Sequence, residues 1–176
     1  MPPSPPTGLH ADLGLPADYA IRRGLVLQSE PDLATLVTIA HTDDHRPIQL
    51  TPATAAAWAG MHLTARAAGL TLIPVSGFRS IARQAAIIRA HLDAGRVIDE
   101  ILTLVAAPGY SEHHTGRAID ITAPDDPPLV EGFALTPAST WLTIHAASFG
   151  FHLSFPRNNP HGIAYEPWHW CWRPPA

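Results

Sequence analysis

The sequence predicts an α+β fold. Three helices carry start and stop signals at both ends, four short stretches read as strands, and the two kinds of element lack the regular β-α-β rhythm of a parallel sheet. A chain of 176 residues with a hydrophobic share of 46% suits one domain, and at this size it should bury roughly 70% of its unfolded surface.

Taken in order, residues 1–22 are Pro-rich and read as an irregular surface arm ahead of a single domain spanning 23–176. "ATLVTIA" (34–40) is an early strand or a short apolar run. The first helix lies within "LTPATAAAWAGMHLTARAAG": Thr51 is a natural N-cap, Pro52 suits the first helical position, and Gly69 suits the position past the end. Trp58, Met61, Ala65 and Ala68 form its apolar face. "TLIPV" (71–75) is the next strand and runs into Ser76-Gly77. A second helix, about 81 to 94, is capped by Ser80, stopped by Gly95 and lined by Ile81, Ala85, Ile88 and Leu92. "AIDIT" (118–122) alternates as a strand does, "APDDPPLVEG" (123–132) is a loop, and Thr136-Pro137 opens a third helix to about 148 with Trp141 and Ile144 facing inward. "FHLSF" (151–155) and the aromatic "WHWCW" (168–172) are the last strands.

The formal charge of −4 and pI near 6.2 leave no basic footprint for nucleic acid. No run of 18 apolar residues is present, so no transmembrane segment is expected, and the N-terminus lacks the pattern of a signal peptide. A cytoplasmic location therefore stays open. The lone Cys171 rules out an intrachain disulfide and any four-thiolate zinc site, whereas eleven histidines make imidazole-based metal chemistry worth pursuing.

Three segments hold the reactive groups. In "SEHHTGRAID", Ile119 and Ile121 share one face of a strand and Asp120 the other, pointing into a cleft or into water, while Gly116 permits a reversal that returns a histidine beside it. In "YEPWHW", Pro167 argues against a helix, so Glu166 and His169 sit on an extended, aromatic-walled segment. A zinc hydrolase needs three His, Asp or Glu ligands, one open position, and a carboxylate base that is not itself a ligand. His113 or His114, with Asp120 and His169, would supply the first requirement and Glu166 the last. In "SGFRSIARQ", Arg79 stands at a strand-to-helix junction, where its forked donors suit a carboxylate or a polarised carbonyl.

In this order and spacing, the three segments resemble the signature of the VanY-type D-alanyl-D-alanine carboxypeptidases, members of the LAS zinc peptidases. S-x-H-x-x-G-x-A-x-D is matched by Ser111, His113, Gly116, Ala118 and Asp120, E-x-x-H by Glu166 and His169, and S-G-[FY]-R-S…Q by Ser76 through Ser80 with Gln84. The likeness covers roughly residues 45 to 173. It implies a small antiparallel sheet with helices packed around it and one Zn2+ in a central cleft. It assigns the metal to His113, Asp120 and His169, and catalysis to Glu166 as base and Arg79 as oxyanion partner. Ser111, Gln84 and Trp168 become substrate-binding candidates. The substrate implied is a peptidoglycan stem peptide ending in D-Ala-D-Ala and the setting the cell envelope or periplasm; separately from the resemblance, a monomer is expected. An L,D-carboxypeptidase, an L-Ala-D-Glu endopeptidase and a non-catalytic cell-wall-binding domain are the rival readings. Two departures stand out: His114 where glutamine is expected, and the unusual Cys171.

Overall fold

The structure is a computed structural model that describes residues 5–174. In chain order its elements are α1 (Thr7–Asp12), α2 (Tyr19–Arg23), β1 (Val37–His41), β2 (Pro47–Leu50), α3 (Pro52–Ala67), β3 (Ile73–Ser76), α4 (Ile81–Asp93), α5 (Ile98–Leu104), β4 (Ala118–Thr122), α6 (Pro137–His145), β5 (Phe151–Leu153) and β6 (His169–Trp172). β1 and β2 form a separate hairpin, while β3, β4, β6 and β5 pair in that order into an antiparallel sheet.

The alternation in "AIDIT" explains how this sheet is used. Ile119 and Ile121 are fully buried on one face, in a core shared with Leu50, Trp58, Met61, Leu142, Phe151 and Trp170. The opposite face is left to Asp120. A second core joins Leu13 and Tyr19 to Ala85, Ile88, Ile101 and Leu102 of α4 and α5.

The helix signals act locally as expected at two of three starts. The Ser80 hydroxyl accepts the Arg83 N–H at 3.1 Å, and the Thr136 hydroxyl accepts the Ser139 N–H at 3.1 Å. Thr51 occupies the N-cap position of α3, but its hydroxyl pairs with that of Thr54 at 2.8 Å.

Four expectations need correction. The supposed irregular arm is helical over much of its described length, and Leu13 and Tyr19 are buried there; residues 1–4 lie outside the described residues. Ile144 does not face inward but is 67% exposed, because α6 turns Leu142 and Trp141 into the core. Ala68 is the exposed C-cap of α3, not part of its buried face. Helix α5 and strand β2 were not anticipated at all. At seven and four residues they are too short to show a period.

Candidate active site

Strand register sets the site. Asp120 of β4 is the direct cross-strand partner of His169 on β6, and Ser76 of β3 is the partner of Asp120. Directly opposed residues of an antiparallel pair project from the same face. One transverse row of side chains therefore crosses the sheet on the face away from the core.

His113 joins this row from the 3-10 turn Glu112–Thr115. The turn ends at Gly116, whose left-handed φ of 64° reverses the chain into β4. On the other side lies the segment 76–80. Gly77 packs so closely against β2 that a Cβ would fall 2.5 Å from the Gln49 carbonyl oxygen. Its own carbonyl accepts His113 Nδ1–H at 2.7 Å, which leaves Nε2 of His113 free.

The open nitrogens converge on Asp120. His113 Nε2 is 3.1 Å from Asp120 Oδ2 and His169 Nδ1 is 3.1 Å from Asp120 Oδ1. The three residues are each 3% exposed, and their donor atoms lie within 4.8 Å of one another. Two imidazoles and a carboxylate form a donor set suited to zinc. Were all three to bind one zinc ion, a fourth position would stay open.

Without an ion, the charges in this cluster are strongly perturbed. Burial works against ionised Asp120, yet the two imidazoles overcome it and hold the carboxyl well below the usual range. Burial likewise opposes a charge on His169, but hydrogen bonds to Asp120 and Glu112 push its pKa up to about 10. His113 is pulled down by burial. A cation held by these side chains would have to displace the proton on His169 Nδ1.

Glu166 stands beside the cluster, outside the donor set. Its backbone N–H donates to Phe155, its carbonyl accepts the His169 N–H, and Oε2 is 3.9 Å from His169 Nδ1. Burial raises its pKa to about 7, within the useful range for a general base at neutral pH.

Arg79 reaches the same cleft. Nη2 donates to Ser76 Oγ at 3.1 Å and lies 3.8 Å from Asp120 Oδ2, and Nη1 donates to Gln84 Oε1 at 3.2 Å. Gln84 also donates through Nε2 to the Ala106 carbonyl at 2.6 Å. Its amide is thus committed to holding Arg79 against the wall of the cleft. Ser111 and Trp168 line the same cleft, of about 360 Å³, together with Ile163 and Leu129.

His114 is removed from the chemistry. Its Nδ1–H donates to the Arg79 carbonyl at 2.6 Å, and Nε2 accepts the Gly109 N–H at 3.0 Å. Both nitrogens are occupied, so the imidazole is a neutral buried strut, and burial lowers its pKa. The sequence reading overlooked Glu112. Its carboxylate meets His169 Nε2 at 3.0 Å, and the only hint was an acid placed directly before His113.

This constellation on this sheet has the make-up of a metallopeptidase site, and the chain belongs to the VanY family, described as D-alanyl-D-alanine carboxypeptidase, whose model matches residues 47–175. The chain is 37% identical over 110 residues to YodJ of Bacillus subtilis, which covers 60% of this chain and 39% of that one. It is 31% identical over 118 residues to the D-alanyl-D-alanine carboxypeptidase of Enterococcus faecalis, covering 60% and 41%. It thus spans about two-fifths of the length of these curated relatives. The solved LdcB LD-carboxypeptidase superposes with a TM-score of 0.72 at 30% identity, over 82% of this chain and 70% of that one. VanYB in complex with D-Ala-D-Ala superposes at 0.62 with 25% identity, over 84% of each chain. VanY from a VanB-type cassette in complex with Zn(II) gives 0.62 with 23% identity, over 84% and 85%. Among the described residues no helix is long and apolar enough to cross a membrane.

Proposed function

We propose that this chain is a zinc-dependent D,D-carboxypeptidase that hydrolyses the terminal peptide bond of peptidoglycan stem peptides ending in D-Ala-D-Ala. The observation that carries this reading is the convergence of His113, Asp120 and His169 within 4.8 Å, with an unligated Glu166 and the Arg79 fork on the same cleft. The family description and the D-Ala-D-Ala complex of VanYB support the substrate class. The donor set and the Zn(II) complex of a related fold support the metal.

His113 Nε2, His169 Nδ1 and one Asp120 oxygen would hold the ion. When bound, zinc supplies Lewis acidity that lowers the pKa of a water in the open position and polarises the scissile carbonyl. Glu166 takes the proton from the attacking water and returns it to the leaving amine. Arg79 stabilises the oxygen on which negative charge develops, and Gln84 and Ser76 hold its guanidinium in place. Loss of one such donor typically slows turnover by about 10²–10³. Trp168, Ile163 and Ser111 line the cleft that would take the peptide. A pure binding module would have no need of a base outside the donor set. The substrate class puts the site of action at the cell envelope.

The test is mass analysis of products after purified, zinc-loaded chain meets a stem pentapeptide. Release of one D-Ala, abolished by a chelator and restored by zinc, is expected, and an untouched pentapeptide would overturn the reading. The likeness to LdcB favours a second reading, removal of the terminal D-Ala from a tetrapeptide. The same assay on that substrate decides between them.

A further inference from the structure

His169 is gripped from both sides of its ring. Nδ1 faces Asp120 at 3.1 Å, and Nε2 faces Oε2 of Glu112 at 3.0 Å. An imidazole offers a lone pair only from the nitrogen without the proton, and the partner of the other nitrogen decides which one that is. His169 can join the donor set only through Nδ1, because that atom lies on the Asp120 side. The proton must then stay on Nε2, which requires an acceptor there.

We propose that Glu112 is the positioning residue for the metal: its carboxylate takes the Nε2–H of His169, fixes that tautomer, and aims Nδ1 into the donor set. The proposal rests on the metal-site reading above. The Glu112 side chain is 23% exposed and that of His169 only 4%, so this is not a solvent-screened surface pair. Glu112 is no fourth ligand, since it meets the nitrogen whose lone pair diverges from the other donors. The two imidazoles are also treated differently. His113 is aligned by a neutral carbonyl, that of Gly77, at 2.7 Å, whereas His169 is aligned by a charged carboxylate at 3.0 Å, chemically the stronger kind of acceptor. Glu112 and His113 share one 3-10 turn, pinned by the Thr115 hydroxyl donating to the Glu112 carbonyl at 2.7 Å. One turn thereby delivers a ligand and the orienting group for another ligand 56 positions further along the chain. Phe155, with its ring centroid 4.9 Å from that of His169, packs against the imidazole and limits its rotation.

The experiment measures zinc affinity by competition with a chromophoric chelator for the full chain, Glu112→Ala and Glu112→Gln, alongside 15N shifts of the histidine rings. Loss of an outer partner of a ligating histidine commonly weakens metal binding about 10–100-fold. That loss is expected for Ala. Gln should lose less, because its amide oxygen still accepts from Nε2 and its shape is kept, so it reports even where Ala fails to fold. The zinc-loaded chain should show His169 protonated on Nε2. Wild-type zinc affinity in both variants, or His169 bound to zinc through Nε2, would overturn the proposal while leaving the peptidase reading intact. A wild-type chain that binds no zinc would overturn both.

Discussion

Replacing Glu166 with Gln changes one group and almost no volume. In the structure Oε2 lies 3.9 Å from His169 Nδ1, outside the donor set, and the backbone at 166 is anchored at both ends by Phe155 and His169. The amide should therefore sit where the carboxylate sat, with zinc retained. What it loses is the ability to accept a proton. Burial places the Glu166 pKa at about 7, so the carboxylate is matched to proton transfer near neutrality. General-base catalysis of this kind contributes about 10²–10⁴-fold, or about 2.7–5.4 kcal/mol of barrier at about 1.36 kcal/mol per tenfold. D-Ala release from a D-Ala-D-Ala peptide, followed with zinc content measured in the same samples, should show a loss of that size at one zinc per chain. A zinc-loaded Glu166→Gln variant within threefold of wild type would refute the assignment of the base. The same carboxyl sets an acid limb on kcat/KM. Activity should rise with pH as Glu166 ionises, and a bound dication brings that limb below the value of about 7 found without one.

His114→Ala should leave zinc binding unchanged, since neither nitrogen faces the cleft. It should cost about 2–5 kcal/mol in urea unfolding, because the Gly109 N–H and Arg79 carbonyl each lose a buried partner. Gly77→Ala forces a Cβ within 2.5 Å of the Gln49 carbonyl. It should destabilise by about 1–3 kcal/mol and weaken zinc binding as well, because the Gly77 carbonyl holds His113; a variant with normal affinity and melting temperature would contradict that packing. The metal-free chain should lose thermal stability as pH rises from 7 to 9. The folded pKa of His169, about 10, lies above its unfolded value of about 6.5. The stabilisation it gives is complete below the unfolded value and drains away as pH climbs toward the folded one. Zinc-loaded chain, whose His169 Nδ1 carries no proton, should lack that slope in the same melts.

Much of the site was legible because it depends on short-range chemistry. The alternation of Ile119 and Ile121 fixed the direction of Asp120, Pro167 forced Glu166 and His169 off a helix, and Ser80 marked the start of α4 to the residue. From the residues alone, His113 and His114 were equal candidates. The difference between them is set by the Gly77 carbonyl on one side and by the Gly109 N–H and Arg79 carbonyl on the other, groups that only the fold brings near. Glu112 was missed for the same reason, since its partner is 57 residues away. Gln84 was legible as a motif position, but its contacts to Arg79 and to the Ala106 carbonyl were not, because only the fold brings those groups near. Leu13 and Tyr19 sit in a Pro-rich run without period, and nothing local shows that α4 and α5 leave a hollow for them. In α6, Trp141, Leu142 and Ile144 offer overlapping apolar faces, and the tertiary packing chose the first two.

The most direct measurement is an anomalous-scattering map at the zinc edge from crystals of the zinc-loaded chain. A single peak at about 2.0–2.2 Å from His113 Nε2, His169 Nδ1 and an Asp120 oxygen, with Glu166 out of contact, is the predicted result. A peak bound by His114 or Glu166, or no peak between these side chains, would contradict it.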